Sequence, residues 1–282
     1  MSQIKKAEPI YSVKELCQLF GLALSSYYYQ PRGLSVEQEK IIIDLNLIAH
    51  KTHSSYGKRR NLIELLEKGY QLGLYQTASL MKRAGIVAIR PVKRHSYPDN
   101  GKEDKYFSNL LNREFTPVTV NTHWVGDITY IRTHQGWSYL ACVLDLGSKE
   151  VVGWAFSQTP NAELAKSALR HALKMQQPDT SQLMFHSDQG TQYSAHLFVN
   201  YLSELKITQS MSRRGNCWDN AVMERFFRSL KTERLNQLIF IDHTSAQQVI
   251  NSYIRFYNFE RLHSSIGYST PNKKSLEMKK VA

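Results

Sequence analysis

Three acidic residues stand where an acid needs a reason. Asp127 lies inside the apolar, β-branched string WVGDITYI, although aspartate is depleted in strands because its short side chain competes with backbone pairing. Asp188 follows LMFHS and begins the turn DQG, at the carboxyl end of an expected strand, where open α/β sheets gather their ligands. Turn formation alone would also account for it. Glu224 belongs to a helical pattern in which Val222, Phe226 and Leu230 form one apolar stripe. It falls about 200° around the axis from Phe226 and so leaves that stripe, with Arg228 and Lys231 above it on its own face. A helical salt bridge to Arg228 is the plain alternative. Carboxylates gathered together raise one another's pKa unless cations lie between them. Magnesium or manganese would resolve that conflict, being hard ions that take carboxylate oxygens and substrate phosphate. Two such ions about 4 Å apart can activate the attacking oxygen and stabilise the leaving oxygen of an in-line displacement at phosphorus.

The elements that must carry these acids follow from hydrophobic spacing. Trp124–Arg132, Trp137–Leu146 and Val151–Phe156 are rich in aromatic and β-branched residues and are separated by short turns, which predicts two hairpins. A helix over Pro160–Met175 follows, then a strand at Leu183–His186, a helix near Ser194–Leu205, a strand at Ile207–Met211 and a long helix over Asn220–Leu235. The order βββαβαβα implies an α/β fold with a mixed five-stranded sheet: an antiparallel meander extended by parallel crossover strands. If the first and fourth strands are neighbours, Asp127 and Asp188 meet at the sheet surface. Upstream the chain reads as all-α. Ser12–Tyr29 gives a weak helix-turn-helix pattern turning at Gly21, and Val36–Ile89 continues with helical spacings around Lys58, Arg59 and Arg60. The polar, aperiodic stretch Pro91–Lys105 reads as a linker.

The chain of 282 residues, 42% of them hydrophobic, suffices for about two domains with buried cores. Its 36 Lys and Arg against 24 Asp and Glu leave +12, which favours a polyanionic partner, nucleic acid first. The first hundred residues carry the denser excess, 15 basic against 8 acidic. By spacing alone, a solvated basic face and a DNA-binding helical unit fit residues 34–92 equally well, and charge tips the balance to DNA. Cys17, Cys142 and Cys217 are too few and too scattered for a disulfide framework or paired zinc ligands, so the reading is intracellular. No apolar run reaches the roughly 18 residues of a membrane span.

Several polar residues flank the acids. Arg213, Arg214 and Asn220 lie in the loop before the last long helix, where phosphate contact outweighs mere solvation of a turn. Trp218 in that loop can stack on an unpaired base or pack into the core, and the core is favoured. His186 is equally a scaffold histidine or a DNA contact. Tyr253, Phe256 and Tyr257 read as the apolar side of a helix, whereas Arg261 and His263 could reach DNA. Asp145 and Asp219 are the acids most easily mistaken for catalytic ones.

The acids are separated by 61 and 36 positions, and their surroundings are THWVGDITYI, FHSDQGTQYS, SRRGNCWDNAVMERFFRSLKTE and YNFERLHSSIGYSTP. The spacing resembles the D,D,E triad of the retroviral-integrase superfamily, with thirty-five residues between its last two acids. The strings resemble more closely the OrfB catalytic proteins of bacterial insertion sequences of the insertion-sequence-three group, over nearly the whole chain through Pro271. That resemblance implies a ribonuclease-H-like core with Asp127, Asp188 and Glu224 as catalytic acids and metal ligands. It further implies cleavage and strand transfer at the terminal inverted repeats of a mobile element, joining to target DNA, and a circular intermediate. An OrfA or OrfAB fusion partner and a cytoplasmic, nucleoid-associated location go with it. Bringing two DNA ends together would need at least a dimer. The expected domains are a helix-turn-helix-like segment (1–33), a helical DNA-binding domain (34–92), a linker (93–112), the catalytic core (113–272) and a basic tail (273–282). Two rivals remain: an inactive DNA-binding regulator, and a tyrosine recombinase suggested by 16 tyrosines and the string RLHSSIGY.

Overall fold

The structure, a computed structural model, describes residues 11–30, 33–91, 107–213 and 216–281. Residues 1–10, residues 93–106 of the expected linker, and Arg214 lie outside the described residues. The helical part opens with α1 (Val13–Leu19), where Ser12 accepts the Glu15 N–H and Glu15 reaches back to the Ser12 N–H, a capping box that satisfies two free donors. Gly21 turns the chain at φ +62° into α2 (Leu24–Tyr28), a backbone region that glycine adopts at little cost. Then come α3 (Val36–Lys51), α4 (Lys58–Glu67) and α5 (Leu74–Arg83). Ile41, Leu45, Ile48, Leu65, Leu80 and Met81 close their core together with Leu262 from far along the chain. Lys58, Arg59 and Arg60, expected between helices, form the first turn of α4.

The sheet comprises β1 (His123–Thr133), β2 (Gly136–Asp145), β3 (Val151–Ser157), β4 (Met184–Ser187) and β5 (Thr208–Met211), in the order β3-β2-β1-β4-β5. β1 to β3 form the antiparallel meander, while β4 and β5 run parallel to β1. Between the strands lie α6 (Ala162–Gln176), α7 (Thr191–Ser194) and α8 (His196–Glu204); α9 (Ala221–Glu233), α10 (His243–Phe259) and α11 (Pro271–Val281) follow. Pleating divides the strands into two buried faces. Trp124, Ala141, Val143 and Phe185 pack against α6 and α8, and Val125, Ile131, Leu140, Cys142 and Leu144 pack against α9 and α10. This is the expected ribonuclease-H-like mixed sheet, preceded by an all-helical region.

Two expected boundaries differ. Residues 107–112, assigned to the linker, belong to the core: Leu111 is buried, and the N–H groups of Leu110 and Leu111 donate to Ser210 Oγ on β5. The basic tail is the helix α11, whose Asn272 donates to Glu150 and whose Met278 methyl lies over Gly147. Lysines on its outer side masked a packing face that spacing did not reveal. Among the described residues no helix is long and apolar enough to cross a membrane.

Candidate active site

Parallel pairing puts Gly126 of β1 opposite Ser187 of β4, so Asp127, within β1 and still paired with Cys142 of β2, stands beside Asp188, the first residue past the end of β4. Asp127 Oδ1 accepts the Ile128 N–H at 2.7 Å, and Asp188 Oδ1 accepts the Gly190 N–H at 3.0 Å. The turn reading of Asp188 is thus realised in one oxygen, with the second outside that turn. Gly126 keeps the strand close: a Cβ there would run into the Phe185 ring.

Glu224 sits in the first turn of α9 with its side chain exposed. The buried face of this helix is Met223, Phe226, Phe227 and Leu230, while Val222, expected within the stripe, is only half-buried. Packing centred on Met223 still leaves Glu224 outward. The three acids share one electrostatic field. Burial, then the charges of Asp188 and Glu224, push the Asp127 carboxyl up to about 7, against the Ile128 N–H and the Lys231 ammonium. Burial also raises Asp188 and Glu224. Among the described residues no three His, Cys, Asp or Glu side chains stand close enough to enclose an ion. Carboxylate oxygens are the donor type that a hard divalent cation takes, and Asp127, Asp188 and the exposed Glu224 are the residues that could supply them.

The surrounding polar residues divide by accessibility. Lys58 and Arg59 are exposed, as is Arg228 on α9; Lys231 is half-buried. Arg60 lies 5.3 Å over the Tyr56 ring and 3.8 Å from Glu233. Arg261, expected at DNA, is 4% exposed and gives Glu233 two bonds, Nε to Oε2 at 2.8 Å and Nη2 to Oε1 at 2.6 Å. Its charge serves that buried pair. His263 is held down to about 3 by burial and by Arg261, Arg60, Lys149 and Arg225, so it is neutral near pH 7 and offers phosphate no cation. Asn220 is buried with its Oδ1 lacking a hydrogen-bond partner among the described residues. His186 is buried with Nδ1 2.9 Å from Ser210 Oγ, a scaffold position. Because that hydroxyl already accepts two N–H groups, it donates to Nδ1.

Asp145 accepts the N–H groups of Asn121 and Ser148 and closes the β2–β3 turn. Asp219, 1% exposed, accepts from Asn109, Arg113 and Arg213. Arg213 is therefore an anchor of that carboxylate. Trp218 overturns its expected core position: it is 69% exposed, because Asp219 and Asn220 take the interior sites of this turn. Tyr253 and Tyr257 are buried on α10 as expected. Sequence reasoning missed Arg225, which with Arg60, Arg228, Arg261, Glu233 and His263 lines a groove of about 260 Å³ between the helical unit and α9. The spacing of Arg225 and Arg228 on one helix was the available signal; the partner wall, Ser55, Arg60, Ile89 and Pro91, came from far earlier in the chain.

The sequence profiles of the integrase core domain match residues 117–217 and 205–271. The chain is 35% identical to an uncharacterised 31 kDa protein of insertion element IS600 from Shigella sonnei, covering 91% of this chain and 96% of that one. It is 34% identical to transposase InsF of insertion sequence IS3A from Escherichia coli K12, covering 96% of each. A solved integrase catalytic core domain of HTLV-2, in complex with magnesium, overlays with TM-score 0.45 at 16% identity, covering 56% of this chain and 97% of that one.

Proposed function

Because the chain belongs to the bacterial insertion-sequence transposases of the insertion-sequence-three group, polynucleotidyl transferases with an integrase core, we propose that Asp127, Asp188 and Glu224 carry its DNA cleavage and strand transfer. The observation behind this is the register that sets Asp127 beside Asp188, with Glu224 near enough to raise the Asp127 pKa. In the proposed reaction a water oxygen bonds to phosphorus at the element's terminal inverted repeat and the P–O3′ bond breaks, leaving a 3′-OH. That 3′ oxygen then bonds to the phosphorus of a second strand in target DNA and displaces its 3′ oxygen. No protein–DNA bond forms. The three carboxylates would hold magnesium or manganese, two ions per site, supplying Lewis-acid stabilisation when bound.

The chain's own groups do the rest. Asp127 and Asp188 are fixed by backbone N–H bonds, and Glu224 approaches from the helix above. Lys231 and Arg228 extend along the same helical face to meet the phosphodiester backbone. Lys58, Arg59, Arg60, Arg213 and Arg214 are further basic positions near which DNA is proposed to run. Synapsis of two ends calls for at least a dimer, and an OrfA or OrfAB fusion product is the proposed protein partner. The test is electrophoresis of labelled element-end duplex with the purified chain and magnesium. Metal-dependent nicking lost in Asp188→Asn is expected; cleavage surviving both the substitution and EDTA overturns the carboxylate–metal reading.

A further inference from the structure

We propose that Trp218 stacks on an unpaired base of the DNA end as it enters the acid site. This rests on the reading above, that the site handles DNA. The tryptophan is 69% exposed, which leaves its ring face open to an aromatic partner. The ring stands on the 3-10 turn Cys217–Asn220, whose neighbours Asp219 and Asn220 are 1% and 5% exposed. That turn is pinned. Asp219 accepts the Arg213 N–H at 3.1 Å, Arg213 Nε at 3.0 Å, Arg113 Nε at 2.8 Å and Asn109 Nδ2 at 2.9 Å. The platform is therefore preorganised, which limits the entropy lost on stacking.

Its position points to DNA as the occupant. The Ser212 N–H donates to the Ser187 carbonyl at 2.8 Å, beside Asp188, and the turn runs directly into α9, which carries Glu224 in its first turn. Trp218 thus lies on the segment joining two of the three acids. Between Leu197 and Leu238 it is the one large apolar side chain exposed among the described residues. A protein interface calls for a contiguous apolar patch. A lone ring on a turn that Arg213 and Arg113 hold through Asp219 suits a nucleic acid strand, where any base offers a π-face. Stacking of this kind is worth about fivefold to a hundredfold in affinity.

The test uses the full chain and duplexes carrying the element's terminal inverted repeat, with an abasic nucleotide placed in turn at each of the last several positions. Binding is read by fluorescence anisotropy in EDTA, so no chemistry intervenes. Trp218→Ala should weaken binding to intact ends by about fivefold or more, with Trp218→Phe recovering most of it and melting temperature unchanged. At one position the abasic substitution and Trp218→Ala should be non-additive, each cancelling the effect of the other. Additivity at every position, or wild-type binding by Trp218→Ala, overturns the proposal, as does no binding by the wild-type chain. Magnesium-dependent nicking by wild type, scored separately, decides the acid-site reading: its absence sinks that reading while the abasic cycle still decides Trp218.

Discussion

Single carboxylates in this chain play opposite parts according to what faces them. Asp127 is buried and faces Asp188 and Glu224, so its charge is disfavoured; Asp219 faces two guanidiniums, so its charge is held. Burial pushes the Asp219 carboxyl up, but Arg213, Arg113 and the Arg213 N–H outweigh it and keep the group well below its ordinary 3.8. A depressed pKa adds stability above the unfolded value that is lost as pH falls through the folded one. Asp219→Asn should therefore destabilise by about 3 kcal/mol at pH 7, the low end for a broken buried pair because both arginines are half-exposed. The deficit should shrink below pH 4. Denaturant melts at pH 7 and pH 3 check this, and an equal deficit at both would assign the loss to packing. Both Asp219 and Asp127 look alike as lone acids in polar or apolar strings; only their neighbours separate a carboxylate held as an anion from one whose charge is disfavoured.

At the scale of elements, close approach decides where the acids stand. β1 and β4 lie side by side with Gly126 under the Phe185 ring. Gly126→Ala should cost about 1 to 3 kcal/mol by overpacking and lower nicking as it displaces Asp127. Adding Phe185→Leu should restore part of both, measured by thermal melting and strand cleavage; no recovery would mean that the ring is not the obstacle. On α9 the apolar positions predicted a helix and an outward Glu224, and the helix is there. The buried face nevertheless centres on Met223 rather than Val222, since the sheet beneath sets the rotation. α11 was read as a tail because its lysines dominate a short sequence, and its partners, α10, Gly147, Glu150 and Gln176, are ones that no local pattern could supply.

Specific contacts join the helical unit to the core, with Leu262, Phe256 and Tyr268 packed into the helical unit's apolar cluster. Tyr56 OH accepts the Leu262 N–H at 2.7 Å and donates to the Glu260 carbonyl at 3.3 Å, and Lys51 pairs with Glu260 at 3.2 Å. Beside this seam, Arg60, Arg225, Arg228 and Arg261 face a single carboxylate, Glu233, so the groove is strongly positive. If DNA lies there, Arg225→Gln and Arg228→Gln should each reduce the slope of log affinity against log salt by about one. Anisotropy titrations over a salt series measure it, and unchanged slopes in both variants would place the strand elsewhere.

The amino-acid order alone determined the βββαβαβα succession and most of the elements, and singled out the three acids, because local periodicity and the oddity of an acid in an apolar strand survive without knowledge of neighbours. The parallel β1–β4 register, the exposure of Trp218, the burial of Arg261 and the arginine groove were decided in three dimensions. Each depends on groups distant in the chain competing for the same interior space and the same countercharge, and no window of sequence contains both competitors.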